Sequence, residues 1–146
     1  MGVNALSDTS YADLQNALSF GAVGAFALAK ETAPYMIERG RGTLIYTSST
    51  AAFRGNAGQH AHTAAMGARR MLCQSLSAEL APQGIHVSHV NIDGTVDAPE
   101  SIGKIVPEFY EEMKEKGEFL RAFDVVLTKV STKADEKALA KAATRC

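Results

Sequence analysis

The clearest structural pattern in the chain lies in residues 42–99, which read GTLIYTSSTAAFRGNAGQHAHTAAMGARRMLCQSLSAELAPQGIHVSHVNIDGTVDAP. The β-branched and apolar run at 43–47 predicts a short buried strand. Residues 59–80 predict a long helix, which a proline and a glycine end shortly afterwards. Its predicted apolar face consists of Ala64, Ala68, Met71, Leu72 and Leu76. Residues 85–91, again rich in β-branched and apolar side chains, predict a second strand.

Two strands joined by a helix favour a right-handed crossover and therefore a parallel sheet. In sheets of this kind, ligands bind beyond the carboxyl ends of the strands. The polar, glycine-containing loop at 47–58 and the loop at 92–99 are expected to lie on one rim of the sheet. Any chemistry is expected in these two loops.

A long helix is predicted upstream, over residues 10–38. Ser10 is a plausible N-cap, since Asp13 follows it at the spacing of a capping box. The predicted apolar face consists of side chains at helical intervals: Leu14, Leu18, Val23, Phe26 and Ala33. Glycines and alanines are interspersed among them, and such small residues let another element approach the helix closely.

The remainder of the chain divides less clearly. Residues 107–114 predict a short amphipathic helix near the rim, and residues 131–145 predict a helix that is charged on one side. We therefore predict one α/β domain over residues 1–123 and a divergent, helical tail over residues 124–146.

Composition excludes several classes of protein. The chain has 146 residues, 46% hydrophobic and 21% charged, with a net charge of −1, which is typical of a globular domain and argues against nucleic-acid binding. Cys73 and Cys146 form neither a disulfide framework nor a zinc motif, and the four histidines do not converge, so we expect a cytoplasmic protein without a metal. The longest uncharged run, between Asp13 and Lys30, is too short to span a membrane comfortably.

Residues 42–99, together with the helix that precedes them, resemble the short-chain dehydrogenase/reductase family. The order of strand, Ser-Ser loop, helix and SLSAELAPQGIHV strand is that of the second half of the family's fold. The resemblance implies a partial Rossmann-like, doubly wound parallel sheet and a link to NAD or NADP. It also implies that the N-terminal nucleotide-binding half, with its glycine-rich turn, is absent from this sequence.

The family's active site uses a Ser, a Tyr and a Lys, with an Asn on the preceding helix. The resemblance places Ser49 at the Ser position, His62 at the Tyr position thirteen residues later and Met66 at the Lys position four residues further. The Asn position falls near Gly21. In the second rim loop, Gly94-Thr95-Val96 stands where the family contacts its cofactor, without the family's proline.

These replacements change the chemistry that is possible. A Tyr, with a free pKa of about 10, needs a nearby cation to act near neutral pH, whereas a His, at about 6.5, does not. His62 is either a substitute acid/base or a partly exposed helix residue. Met66 can neither hold ribose hydroxyls nor supply charge, and more naturally fills an apolar gap. Ser49 either orients a substrate or satisfies a backbone group.

Two functions follow from the resemblance. The first is an oxidoreductase of the family that is weak or inactive as an isolated chain. The alternative is a non-catalytic interaction subunit that forms a homo-oligomer, or binds a partner chain, through helices 10–38 and 59–80. The small residues on both helices suit a symmetric interface between two copies.

Overall fold

The computed structural model describes residues 4–100, 102–105 and 107–119. Along the chain, the elements are helix α1 (Tyr11–Leu18), a π-helical segment (Ser19–Val23), helix α2 (Gly24–Glu38), strand β1 (Gly42–Ser49), helix α3 (His60–Leu80), strand β2 (Ile85–Ile92), and helices α4 (Ile102–Ile105) and α5 (Pro107–Lys116). The predicted tail over 124–146 and the end of the predicted domain at 123 lie outside the described residues.

The predicted capping box starts helix α1. The Ser10 hydroxyl accepts a hydrogen bond from the Asp13 backbone N–H at 3.1 Å, and the Asp13 carboxylate accepts one from the Ser10 N–H at 2.9 Å. These bonds satisfy backbone donors that a helix start otherwise leaves unpaired. The helical path then continues to Glu38, so the prediction over 10–38 is confirmed, with a widened turn at Ser19–Val23.

The two strands pair in parallel, as predicted, with Gly42 opposite Ile85 and Ser49 opposite Ile92. β1 is longer than the predicted strand, because Ser48 and Ser49 continue the pairing. The prediction that these two serines belong to the loop is therefore wrong. The loop proper begins with a single 3₁₀ turn at Thr50–Ala52.

Helices α2 and α3 pack on one face of this sheet. The buried core that they form with the strands consists of Ala25, Ala29, Ala33, Leu44, Tyr46, Cys73, Leu80, Ile85 and Val87. The α2 contribution is alanine only, because small side chains let the helix backbone lie close to the strands. On the opposite face of β1, Thr43, Ile45 and Thr47 are exposed, and Ile45 keeps 61% of its surface.

The predicted apolar face of the first helical run is partly wrong. Val23 and Phe26 are 60% and 50% exposed, whereas Ala25 and Ala29, which follow the widened turn, are buried. Ala33 is buried as predicted. The positions of the large apolar side chains do not identify the buried face of this helix, because close contact between helix and sheet requires small residues.

The predicted face of α3 is rotated by about one residue from the real one. Ala64 and Met71 are exposed, whereas Ala65, Met66 and Cys73 are buried. Leu72 and Leu76, which belong to the predicted face, are half-buried against the core. The rotation brings Met66 inward, which matters for the site.

The turns that precede the two strands meet each other. Gly40, after α2, has φ +64°, and Gly84, after α3, has φ +80°. A Cβ atom on Gly84 would collide with the carbonyl oxygen of Gly40, whereas a Cβ on Gly40 would meet nothing within 4 Å.

Within the described part of the chain, every helix falls short of the length and apolar character that a bilayer crossing requires.

Candidate active site

The fold brings Ser49 and His62 together. Ser49 is the last residue of β1, and His62 lies in the first turn of α3. The Ser49 Oγ atom is 3.1 Å from His62 Nε2, which is hydrogen-bond distance, and both side chains are half-buried. His62 is thus a partly exposed helix residue that also contacts Ser49, and its role as an acid/base stays a prediction.

The environment of His62 favours the neutral form of the imidazole. Burial lowers the pKa of His62 below its ordinary value, and the positive charge of Arg69 acts in the same direction. His62 Nδ1 is buried and has no hydrogen-bond partner among the residues that the structure describes. Nε2 is therefore the ring nitrogen that shares a hydrogen bond with Ser49, and the imidazole tautomer sets which of the two groups donates.

Met66 occupies the position that the resemblance assigns to a lysine. Its side chain is 5% exposed, and the Ser48 hydroxyl donates a hydrogen bond to its sulfur at 3.5 Å. It also packs beside the widened turn of the first helical run. Met66 fills an apolar gap as predicted, and it offers neither a charge nor a donor to the ribose of a nicotinamide cofactor. The residues present at this point do not fit that group.

Gly21 likewise leaves no space for the family's asparagine. The glycine is buried, and a Cβ atom added to it would lie 2.7 Å from Ala65 Cβ and 3.3 Å from Met66 Cε. The first of these contacts is shorter than side chains tolerate. The backbone of Gly21 is instead used as a hydrogen-bond acceptor.

Arg69 is the site residue that sequence reasoning missed. Its Nε donates to the Gly21 carbonyl at 2.7 Å, its Nη1 to the Thr47 carbonyl at 2.6 Å and its Nη2 to the Phe20 carbonyl at 3.4 Å. The guanidinium thus ties the widened helical turn to the end of β1. Its spacing from His62 and Met66, at i+7 and i+3 on one helix face, is the signal that could have identified it.

The loop that follows β2 is fastened to helix α5 by a hydrogen bond. Gly94 has φ +143°, and Thr95 and Val96 are half-buried. Among the residues that the structure describes, no hydrogen bond joins these three to Ser49 or His62, and their contact with a cofactor stays a prediction. The loop is fastened by Asp97, which accepts a hydrogen bond from the Tyr110 hydroxyl of α5 at 2.7 Å.

Two other reactive side chains have structural roles. Cys73 is fully buried, and burial raises the pKa of its thiol to about 11, so it is not a nucleophile near neutral pH. Tyr46 is buried and donates a hydrogen bond to the Ala25 carbonyl at 3.0 Å, which fastens β1 to α2. Within the described ranges, no three histidine, cysteine or carboxylate side chains converge in a way that could hold a metal ion.

A fully buried histidine, His89, lies on strand β2. His89 is 1% exposed, and neither ring nitrogen has a hydrogen-bond partner in the described part of the molecule. Its ring meets the Phe53 ring edge-on at 6.3 Å, and the Arg70 guanidinium lies 4.6 Å above the same Phe53 ring. Burial lowers the pKa of His89, and the Arg70 charge adds to this effect.

Acid is expected to destabilise the protein through these two histidines. Because the pKa values of His62 and His89 are lowered in the folded state, the unfolded chain binds protons more readily once the pH falls past about 6.5. The urea midpoint is therefore expected to be lower at pH 5.5 than at pH 7.5. His89→Leu is expected to flatten this decline, and equal midpoints at both pH values in the unaltered protein would contradict the prediction.

A cleft opens beside His62. It has a volume of about 290 Å³ and lies between the N-terminal segment, α1 and the start of α3. Its lining includes the side chains of Asp13, Asn16, Phe20, Gln59 and His62. One carboxylate, three carboxamides, the Phe20 ring and the imidazoles of His60 and His62 border the cleft. Ser49 lies outside this lining, 3.1 Å from His62.

Comparison with known proteins gives a consistent result. The model of the short chain dehydrogenase family matches residues 1–101. An acetoxyl-apo-melianone synthase of this type from Melia azedarach is 31% identical over 96 residues, and a 3-alpha-(or 20-beta)-hydroxysteroid dehydrogenase from Mycobacterium tuberculosis is 30% identical over 99 residues. The two matches cover 66% and 68% of this chain. The chain spans only 35% and 38% of the length of these relatives.

A solved structure described as a dehalogenation enzyme superposes with a TM-score of 0.71 at 27% identity. The superposition covers 82% of this chain and 51% of the chain of the dehalogenation enzyme. The parallel sheet and its helices therefore correspond to part of a Rossmann-type fold, as the sequence predicts.

Proposed function

Since the chain belongs to the short-chain dehydrogenase family, we propose that it acts as an interaction subunit and not as a nicotinamide-dependent oxidoreductase. The observation that carries this proposal is the buried thioether of Met66, hydrogen-bonded to Ser48. Hydride transfer in the family needs a cation at this position, because the cation lowers the pKa of the acid/base group and holds the cofactor's ribose. His62 can replace the first function, but no group at Met66 replaces the second.

The helix surface supports the interaction role. Large apolar side chains on α1, α2, α3 and the widened turn are exposed to solvent: Tyr11 91%, Phe20 84%, Tyr35 69%, Val23 60%, Met71 58% and Leu28 47%. Leu28 and Tyr35, seven residues apart, lie on one face of α2. Exposed apolar side chains in such number mark contact surfaces. A second copy of the chain, in the cytoplasm, is the partner proposed.

A titration with NADPH and NADH tests the first part. We expect no saturable change in cofactor fluorescence up to millimolar concentration, for the chain and for the double variant His62→Tyr, Met66→Lys. Circular dichroism must show that the variant is folded, since it buries an ammonium group. Saturable binding of micromolar cofactor by the unaltered chain would show that it has a nucleotide site and would contradict this part of the proposal.

Sedimentation velocity tests the second part. The chain is expected to associate with rising concentration, and its melting temperature is expected to rise with it. Phe20→Ser is expected to weaken association, whereas Ile45→Ser, a matched change on the open face of the sheet, is expected to leave it intact. A monomer at every concentration, or loss of association in the Ile45 variant alone, would contradict the helix interface.

The hydrogen bond between Ser49 and His62 favours a second candidate function. The pair has the parts of a proton-transfer site, so the chain would act as an oxidoreductase when another chain supplies nucleotide binding. In that case, NADPH-dependent reduction of a carbonyl compound would appear only when such a chain is added, and it would be lost in His62→Gln.

A further inference from the structure

We propose that Ser49 and His62 form a nucleophile–base pair that hydrolyses activated, uncharged aryl esters of small carboxylic acids. This activity is distinct from hydride transfer and does not depend on the interaction role. It rests on the contact between the two side chains, on the position of His62 in the lining of the cleft, and on the lowered pKa of the imidazole.

The geometry meets the first requirement for an activated serine. A serine hydroxyl becomes a nucleophile when a neutral base lies within hydrogen-bond reach, at about 2.6–3.2 Å. Ser49 Oγ and His62 Nε2 are 3.1 Å apart. Both side chains are half-buried, which leaves part of each surface accessible to a small substrate.

The reaction balances with water as the only co-reactant. Ser49 Oγ attacks the ester carbonyl carbon while its proton moves to His62 Nε2. The bond between that carbon and the phenolic oxygen then breaks, and the proton on His62 goes to the departing phenolate. A water molecule attacks the acyl carbon, its proton passes through Nε2 to Oγ as the Oγ–C bond breaks, and the carboxylic acid leaves.

The surroundings of the pair define the substrate class. No described residue hydrogen-bonds to His62 Nδ1, so the base lacks the carboxylate that orients it in a full triad. An ester with a good leaving group is therefore required. The cleft of about 290 Å³ accommodates a small aryl ester. Hydrogen bonds from Ser10 lower the pKa of Asp13, so the cleft carries a negative charge that disfavours anionic esters.

The test is hydrolysis of 4-nitrophenyl acetate by the full chain, corrected for the buffer rate. Ser49→Ala and His62→Gln are each expected to lower the rate by at least about tenfold. Two matched changes away from the cleft, Ser75→Ala and His86→Gln, are expected to stay within about twofold. Because burial lowers the pKa of His62, the rate is expected to persist to a pH below the ordinary histidine value of about 6.5 and to fall at still lower pH, as His62 becomes protonated. An anionic ester, 4-acetoxybenzoate, is expected to react more slowly.

A second measurement is independent of turnover. After incubation with diisopropyl fluorophosphate, peptide mass analysis is expected to find the phosphoryl group on Ser49, with no modification in folded His62→Gln protein. Circular dichroism and melting curves establish that the variants are folded. Unchanged hydrolysis in folded Ser49→Ala, or labelling of other serines with Ser49 unmodified, would overturn the proposal.

Discussion

Gly84→Ala is expected to lower the free energy of unfolding by about 3 kcal/mol or more, through left-handed backbone strain and steric collision. Gly84 has φ +80°, and an added Cβ would collide with the carbonyl oxygen of Gly40. That oxygen is backbone and cannot rotate away, so the turn before β2 must move. The register of β2 against β1 begins at the next residue, Ile85.

Gly40→Ala is the matched control. Gly40 has a similar dihedral angle, φ +64°, but a Cβ there meets nothing within 4 Å. Only the conformational cost remains, which is about 1–2 kcal/mol. Urea unfolding followed by circular dichroism measures both variants. Equal losses at the two glycines would show that the collision at Gly84 is relieved without cost.

Arg69→Met is expected to lower the free energy of unfolding by about 2–4 kcal/mol, because hydrogen bonds to charged groups contribute about 1.5–3 kcal/mol each. The variant leaves the Gly21 and Thr47 carbonyls without their donor and frees the widened turn from the end of β1. Ser49 lies two residues beyond Thr47, so the Ser49–His62 contact is expected to loosen as well.

Two variants show whether hydrogen-bond geometry or charge is responsible. Arg54→Met removes an exposed arginine of the loop and is expected to change stability by less than about 0.5 kcal/mol. Arg69→Lys keeps the charge but lacks the planar group that reaches separate carbonyls. We expect it to recover less than half of the loss. Full recovery by lysine would mean that charge alone holds the turn.

Much of the architecture could be predicted because its signals are local. The capping box of Ser10 and Asp13 needs only residues three apart, and the glycine at 84 ends a helix by its own backbone freedom. The parallel pairing follows from two apolar segments separated by a helix. The same spacing, with the family resemblance, predicts Ser49 and His62 as residues of one site; the structure brings their side chains to 3.1 Å, and their catalytic roles stay a prediction.

The buried faces could not be predicted from the same signals. Ala25 and Ala29 are buried while Phe26 is half-exposed, because the sheet admits the helix backbone only where side chains are small. The widened turn at Ser19–Val23 shifts the helix phase, which periodicity counts assume constant. In α3, which has no such turn, the prediction chose Ala64 where the structure buries Ala65.

The sequence by itself determined the order of helices and strands, their parallel arrangement and the residue types at the site, since these depend on neighbours along the chain. Only the tertiary structure decided which charges and hydroxyls meet. Arg69 bonds to carbonyls 22 and 48 residues away, and Ser48 bonds to Met66 across 18 residues. Such contacts depend on distances in space between folded segments, and no local pattern specifies them.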